Sequence, residues 1–337
     1  MSASRQLRLA SRPAGDVKPS DFELVSAEIP EPDDGELTVE VTHISIDPAM
    51  RGWMNAGRSY VPPVEVGEVM RALALGRVIA SRNPSYSVGE IVSGTFGVQE
   101  HAVSDGRGLV AIPADGEIPI ATYLGVLGMT GLTAYFGLLD VGRLEEGDTV
   151  VVSGAAGAVG TAVGQIARIK GAGRVVGIAG GQEKCALLVD ELGFDGAIDY
   201  KAGSLAEDLR RETPDRVNVF FDNVGGEILN QGLTRLAGHA RVVICGAISQ
   251  YNNAEGMAGP SNYMALLVSR ASMTGFVVFD FASRYREALA ELAGWYAEGR
   301  LRNVENTVRG DIEDFPDVLG LLFRGENTGK LVLELTR

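Results

Sequence analysis

The fold is decided by TVVVSGAAGAVG, residues 149–160 of a 337-residue chain. This apolar run ends in Gly154, Gly157 and Gly160, and apolar residues recur at helical spacing over 158–170. Glycine has no Cβ, so it permits a tight turn and a close approach of helix to strand. The unpaired amides and the positive dipole end of such a helix attract phosphate. The pattern predicts a dinucleotide site, although its GxxGxxG spacing differs from GxGxxG and a helix start without a ligand is the alternative.

Downstream of residue 125, segments rich in β-branched residues alternate with helical patterns. The predicted strands are 149–153, 174–179, 196–199, 217–222, 240–245 and 272–278. Ser204-x-x-Glu207 predicts a capping box at the start of a short helix between two of these strands. Alternating strands and helices form a parallel sheet covered on both faces, so we expect a doubly wound α/β architecture.

Upstream of residue 125 the pattern is that of a mainly β lobe. Short strands are predicted at 37–46, 74–80, 90–94 and 97–103, between clusters of Pro, Gly and Asp. After a helix at 285–299, the tail predicts a strand at 304–309, a helix at 312–323 and a strand at 330–335, which we expect to rejoin the first lobe. The sequence therefore predicts two domains, one made of 1–125 with 300–337 and the other of 126–299.

Composition and net charge indicate which kinds of partner and which cellular compartment to expect. A formal net charge of −14, with scattered Lys and Arg, argues against nucleic acid or an anionic membrane as a partner. No apolar run is long enough to cross a bilayer, and the N-terminal residues lack the apolar core of a signal peptide. We therefore expect a cytoplasmic protein in which Cys185 and Cys245 are free thiols.

Seven segments, taken in chain order, resemble a known family. They are ISIDPAMRGWM (44–54), GMTGLTAYFGL (128–138), SGAAGAVG (153–160), FDNVGG (221–226), CGAISQYN (245–252), MTGFVV (273–278) and ENTGKLVL (326–333). Over essentially its whole length the chain resembles the zinc-independent medium-chain dehydrogenases/reductases, in the group of leukotriene B4 12-hydroxydehydrogenase, prostaglandin reductase and the double-bond and curcumin reductases. The resemblance implies a Rossmann domain with a mainly β GroES-like domain, a homodimer, and NADPH-dependent reduction of the C=C bond of an α,β-unsaturated ketone or aldehyde.

The residues themselves favour NADPH over NADH. NAD-binding folds place an Asp or Glu about twenty residues beyond the glycine turn, where it accepts from the ribose 2′-hydroxyl. Here the second strand ends in Ala179, Gly180 and Gly181, and Lys184 follows, so a 2′-phosphate would meet a cation. The resemblance makes Lys184 and Tyr200 the phosphate ligands. The alternative for Lys184 is a solvated surface lysine. The alternative for Tyr200 is a tyrosine that only packs against its neighbours.

The remaining cofactor contacts follow from the glycine turn and from the resemblance. They are Ala155, Ala156, Gly157, Ala158, Val159 and Gly160 in the turn, Asn223 beyond a buried strand, Cys245, Gly246, Ala247, Ile248, Ser249 and Tyr251 beyond the next, Phe276, Val277 and Val278 near the carboxamide, and Asn327 in the tail. For Asn223 the alternative is a turn residue that satisfies its own backbone.

A zinc site is not expected, although the wider superfamily includes zinc alcohol dehydrogenases. Catalytic zinc needs about three protein ligands, and the structural zinc of that superfamily uses four cysteines. Neither cysteine lies in the first 184 residues, and the position of a zinc-binding Cys is occupied by Ile46-Asp47-Pro48. We interpret His43 and His101 as strand histidines rather than ligands.

Without a metal, catalysis depends on hydride delivery and on stabilising the charge that develops on the substrate's carbonyl oxygen. Tyr251 is the leading candidate to orient the substrate or supply a proton, and stacking on the cofactor is its alternative role. Tyr60 is the second candidate, and its alternative role is that of an aromatic loop residue that covers the β lobe. The other predicted substrate-site residues are Arg51 and Met54, which shape the Tyr60 loop, and Met129 and Thr130. An NADPH quinone reductase and a non-catalytic NADPH-binding sensor are the alternative functions.

Overall fold

The computed structural model describes residues 3–113 and 118–336. The chain divides into two compact units. Unit 1 contains the chain up to Leu124 together with the chain from Glu305 onward, and unit 2 is Gly125–Val304.

The described residues form fifteen β-strands. In chain order they are β1 (Ala3–Leu9), β2 (Phe22–Glu28), β3 (Leu37–Ser45), β4 (Ala74–Ser81), β5 (Ile91–Gly94), β6 (His101–Ser104), β7 (Val110–Ile112), β8 (Thr149–Ser153), β9 (Arg174–Ala179), β10 (Gly196–Asp199), β11 (Val217–Asp222), β12 (Leu236–Ile244), β13 (Ser272–Gly275), β14 (Glu305–Gly310) and β15 (Lys330–Leu335).

The α-helices of the described residues are α1 (Ala49–Trp53), α2 (Met129–Phe136), α3 (Ala158–Ile169), α4 (Gln182–Ala186), α5 (Leu205–Glu212), α6 (Gly226–Leu233), α7 (Met264–Ser269), α8 (Tyr285–Ala297) and α9 (Phe315–Arg324). Within the described residues, no helix combines the length and the apolarity that crossing a membrane requires.

Unit 1 is built mainly from antiparallel β-structure. One sheet has the order β14-β15-β3-β4-β5-β7, with β6 also paired to β3, and β1 and β2 form a separate antiparallel pair. Alternate residues of β3, Leu37, Val39 and Val41, are fully buried, as expected for a strand with one face on the core. β15 pairs antiparallel with β3, so the end of the chain completes a sheet that the beginning of the chain started.

A buried lysine joins β15 to the turn that follows β3. The side chain of Lys330 is 1% exposed, and its Nζ donates to Ile46 O at 2.9 Å and to Asp47 Oδ1 at 2.8 Å. The hydroxyl of Ser45 donates to the other oxygen of the same carboxylate at 2.5 Å. These bonds hold the 46–48 turn, from which α1 begins.

Unit 2 contains a parallel sheet in the order β10-β9-β8-β11-β12-β13. From β8 the chain adds β9 and β10 on one side and then β11, β12 and β13 on the other, so the order reverses between β8 and β11. Every residue of β8 is buried, as in a parallel strand covered on both faces. The predicted fold class is confirmed: a doubly wound α/β sheet accompanies a mainly β region.

Local predictions were wrong at several places. β12 starts at Leu236 rather than at residue 240. β13 ends at Gly275 rather than at residue 278, because the chain turns into a 3₁₀ helix at Val278. The Ser204 capping box is absent, because the Ser204 hydroxyl donates to the Asp208 carboxylate instead. Only the end of the predicted 97–103 strand forms, as β6, which starts at His101.

Candidate functional site

The glycine turn after β8 has the geometry that its sequence predicts. Gly154 has φ +59°, a conformation that L side chains rarely adopt. The amide of Gly157 donates to Gly154 O at 2.9 Å and closes the turn. A Cβ on Gly160 would lie 2.7 Å from Ala155 Cα and closer still to Gly154 O, so a side chain at 160 would push the helix off the turn.

Helix α3 starts directly beyond this turn, with Gly157 as its N-cap. The amide of Thr161 donates to Gly157 O at 2.9 Å. The backbone amides of 158–160 lie ahead of it in the first turn, where a helix has no carbonyl of its own to offer them. Amides and a helix dipole at this point suit a pyrophosphate, so the residues fit a dinucleotide.

A hydrogen-bond network ties the carboxyl ends of β8 and β11 together. The hydroxyl of Ser153 donates to Asp222 Oδ1 at 2.6 Å and accepts from the amide of Asn223 at 2.8 Å. The side chain of Asn223 donates to Ser153 O at 2.7 Å, so it binds the neighbouring strand rather than its own turn. Burial raises the pKa of Asp222. Hydrogen bonds from Ser153, Gly225 and Val224 lower it by less, so the pKa stays above its usual value.

The loop after β12 is bonded to the loop after β11. The amides of Cys245 and Gly246 donate to Asp222 O at 2.9 and 3.2 Å, and the Ser249 hydroxyl donates to Val224 O at 2.7 Å. Both cysteines are free. Burial, with a smaller contribution from Asp222, raises the pKa of Cys245 to about 12, so this residue stays a neutral thiol at physiological pH.

Tyr251 folds back onto its own loop. Its phenol oxygen accepts from the amide of Ala247 at 3.0 Å. A Cβ on Gly246 would lie 3.0 Å from the same oxygen, so glycine leaves room for the phenol there. This contact fixes the Tyr251 hydroxyl at the carboxyl edge of the parallel sheet.

Residues of the 276–278 segment lie near the start of α2. The hydroxyl of Tyr285 donates to Val278 O at 3.0 Å and lies 3.8 Å from Met129 Sδ. The ring of Phe276 packs where a Cβ on Gly137 would approach within 2.6 Å. The Thr130 hydroxyl donates to Gly125 O at 2.8 Å, so it helps to close the turn that precedes α2.

The ends of β9 and β10 form a second concentration of charge. Asp199, the last residue of β10, is the register partner of Ala179, the last residue of β9. Its Oδ1 accepts from the amides of Gly181 at 2.8 Å and Lys201 at 3.0 Å. A carboxylate therefore does lie beside the end of β9, and it was not predicted because it comes from the adjacent strand.

The same place brings basic and phenolic groups together. A Cβ on Gly180 would lie 2.9 Å from both Tyr200 Cε1 and Lys201 Cε. Burial, and then the charge of Lys201, lower the pKa of Lys184. Lys184 and Tyr200 were predicted here, whereas Lys201 was missed, although its position directly after Tyr200 at the end of a strand was a usable signal.

In unit 1, the predicted substrate residues differ in exposure. Tyr60 is 53% exposed, and its oxygen accepts from Trp53 Nε1 at 3.3 Å. Arg51 is buried and donates to Pro13 O, Gly15 O and Asn55 Oδ1, and Met54 is fully buried. Arg51 and Met54 thus pack the loop instead of presenting themselves to a ligand.

Asn327 lies in unit 1, just before β15. Its side chain is nearly buried and donates to Gly329 O at 3.0 Å.

The two strand histidines have polar neighbours and no cluster of metal ligands. His43 Nδ1 lies 2.9 Å from Thr42 Oγ1, and His101 Nδ1 lies 3.1 Å from Ser4 Oγ. Burial lowers the pKa of both imidazoles, against smaller contributions from Glu334 and Glu100. Over residues 3–113 and 118–336, no group of three or more His, Cys, Asp or Glu side chains is arranged to hold a metal ion.

Comparison with known proteins agrees with this geometry. Residues 5–112 match a family described as the N-terminal domain of oxidoreductase, and residues 158–294 match one described as zinc-binding dehydrogenase. The chain is 45% identical to the putative NADP-dependent oxidoreductase YfmJ of Bacillus subtilis, with 100% of this chain and 99% of that protein covered. It is 38% identical to the NADPH-dependent curcumin reductase of Escherichia coli, with 98% and 97% covered.

A solved structure is similar over the same length. CurA from Vibrio vulnificus in complex with NADPH has a TM-score of 0.93 and 41% identity, with 99% of each chain covered.

Proposed function

This chain belongs to the zinc-independent reductase group of the medium-chain dehydrogenases/reductases, and we propose that it reduces the C=C bond of α,β-unsaturated ketones and aldehydes with NADPH. The observation with most weight is that Tyr200 and Lys201 lie against Gly180 and that Lys201 is close enough to Lys184 to lower its pKa, a combination that suits a 2′-phosphate. The relative from Escherichia coli is named for curcumin, a conjugated enone, and for NADPH. The similar structure from Vibrio vulnificus contains NADPH.

The proposed cofactor contacts lie mainly in unit 2. The pyrophosphate contacts are the backbone of 155–160, and the 2′-phosphate contacts include Lys184 and Tyr200. The proposed contacts of the nicotinamide half within unit 2 are Asn223, the 245–249 loop, Tyr251 and 276–278. Unit 1 and unit 2 are accordingly assigned as the substrate domain and the dinucleotide domain.

The chemistry needs a hydrogen-bond donor on the substrate's carbonyl oxygen. When bound, NADPH supplies the hydride that adds to the β-carbon. Negative charge then develops on the carbonyl oxygen, and the Tyr251 hydroxyl donates to it. Because the Tyr251 oxygen accepts from the Ala247 amide, its O–H is polarised and donates more strongly. The α-carbon takes its proton from this hydroxyl or from solvent.

Tyr60 is the proposed substrate contact of unit 1. Its side chain is exposed, and the Trp53 indole fixes its oxygen. Arg51 and Met54 support its loop. Met129 and Thr130 are the proposed substrate residues of unit 2.

We further propose a cytoplasmic homodimer. β13 is an edge strand of the parallel sheet, so its outer backbone groups can pair with a second copy. The neighbouring helix α7 exposes large apolar side chains, among them Leu267 at 69% and Val268 at 75%. Two free thiols suit a reducing compartment.

The activity is tested by incubating the protein with NADPH and 3-nonen-2-one. We expect the saturated ketone as product and little turnover when NADH replaces NADPH. Tyr251→Phe should lower kcat, by about a hundredfold if the hydroxyl stabilises the transition state as a typical oxyanion donor does. Tyr296→Phe, a half-buried tyrosine of α8, is the matched control and should leave kcat unchanged.

Other results would favour the other functions. Turnover of a quinone without turnover of enones would favour a quinone reductase. Tight NADPH binding without turnover of a broad carbonyl panel would favour a sensor. Equal rates with NADH and NADPH would contradict the assigned role of Lys184.

A further inference from the structure

We propose that Lys201 is a specificity-determining residue that binds the 2′-phosphate of the dinucleotide, and that Asp199 is the positioning residue that holds it there. The inference rests on the proposed use of NADPH and deepens it. Neither residue was among the predicted cofactor contacts, although Tyr200 between them was.

The Lys201 side chain lies against Gly180, just beyond the end of β9. Its Cε and the ring of Tyr200 both lie 2.9 Å from the position of a Cβ on Gly180. Any side chain at 180 would collide with them, so glycine allows the lysine and the tyrosine to lie across the end of β9. That is the place where a ribose 2′ substituent lies in doubly wound folds.

Asp199 links the backbone beyond β9 to the backbone beyond β10. One oxygen, Oδ1, accepts both the Gly181 amide and the Lys201 amide, so a single carboxylate oxygen joins the turns beyond β9 and β10. Gly181 has φ +97°, a conformation that glycine adopts without strain, and that bond holds the turn in place. This oxygen therefore positions the backbone of both turns, including the residue from which the Lys201 side chain extends.

The positive charges of Lys184 and Lys201 repel one another. Lys184 and Lys201 lie close enough for the charge of Lys201 to lower the pKa of Lys184. Two ammonium groups that repel one another in the absence of ligand are both stabilised by a dianionic phosphate between them. A ribose with a free 2′-hydroxyl offers no such compensation, so the pair discriminates between the two nucleotides.

The test measures binding to the full-length protein without turnover. Adenosine 2′,5′-bisphosphate and 5′-AMP are titrated calorimetrically into wild type, Lys201→Gln and Lys18→Gln. Loss of a charge-assisted contact to phosphate should raise the Kd of the bisphosphate about tenfold in Lys201→Gln and leave 5′-AMP unchanged. Lys18 is an exposed lysine of unit 1, so its replacement should change neither Kd.

Two substitutions of Asp199 separate hydrogen bonding from charge. Asp199→Ala removes the acceptor of two amides and should raise the Kd of the bisphosphate about fivefold. Asp199→Asn keeps an acceptor oxygen and removes a negative charge, so the bisphosphate should bind at least as tightly as to wild type. Thermal melting of each variant establishes that it is folded at the titration temperature.

The outcomes distinguish this inference from the proposed function. If wild type binds the two nucleotides equally, the NADPH assignment itself fails. If wild type prefers the bisphosphate and Lys201→Gln retains that preference in full, the role of Lys201 is refuted. If folded Asp199→Asn loses as much affinity as Asp199→Ala, the positioning role of Asp199 is refuted.

Discussion

Single residues set the distance between strand β8 and helix α3. Gly160 leaves no space for a methyl group, since Gly154 O and Ala155 Cα lie where it would be. At the other extreme, Gly294 in α8 has nothing within 4 Å of the position of its Cβ. Two chemically identical substitutions in unit 2 should therefore have opposite effects.

We expect Gly160→Ala to destabilise the protein by about 1–3 kcal/mol, as overpacking in a tight core does. It should also weaken NADPH binding, because the helix must move off the turn. Gly294→Ala should stabilise by up to about 1 kcal/mol through helix propensity. Urea unfolding and nucleotide titration of both variants measure these effects, and equal stability of the two would contradict the packing argument.

The sequence predicted the glycine turn after β8 and the place of Lys184 just beyond β9, because both follow from the local order of residues. It did not identify Asp199 or Lys201, whose position depends on the pairing of β10 with β9. Strand pairing between distant segments is not written in local periodicity. For Tyr251 the sequence indicated a loop position, and only the structure reveals the bond of its phenol to Ala247.

Among the elements, β8, β9, β10, β11 and β15 have the predicted bounds. These bounds could be predicted because each strand has a continuous or alternating apolar pattern that ends at glycine or charged residues, and such signals are local. The β1–β2 pair was not predicted, because most side chains of β2 are exposed and polar residues interrupt its pattern. The length of β13 could not be predicted, because packing of Phe276 against Gly137 occurs between distant segments.

Strands β3 and β6 should make unit 1 sensitive to acid. Their histidines, His43 and His101, have pKa values lowered by burial, so the unfolded chain takes up protons at a higher pH than the folded chain. Their contribution to stability is present above the unfolded pKa near 6.5 and is lost as pH falls through the folded values.

The expected result is a Tm that falls between pH 7.5 and pH 5, and falls less in the double variant His43→Asn, His101→Asn. Scanning calorimetry over this range makes the comparison. His239→Asn is the control, because His239 is exposed and its left-handed backbone conformation tolerates Asn. A double variant with the full acid sensitivity of wild type would show that other groups are responsible.

At the scale of the whole molecule, the proposed dimer depends on β13 and α7. Val268→Asp places a charge on an exposed apolar helix face, and we expect the dimer Kd to rise at least about tenfold, as for loss of a central interface contact. Sedimentation velocity at micromolar concentration measures the shift. Val88→Asp, a 65% exposed valine of unit 1, should leave the dimer intact. A monomeric wild type would reject the dimer.

The pairing of β15 with β3 has a consequence for how the protein is made. During translation, β3 and β4 leave the ribosome long before β15, because all of unit 2 is synthesised between them. The nascent chain can complete the contiguous unit 2 first, while the His43–Ser45 end of β3 still lacks its partner strand β15. Unpaired strand edges favour aggregation, so this interval is when the growing polypeptide most needs a chaperone.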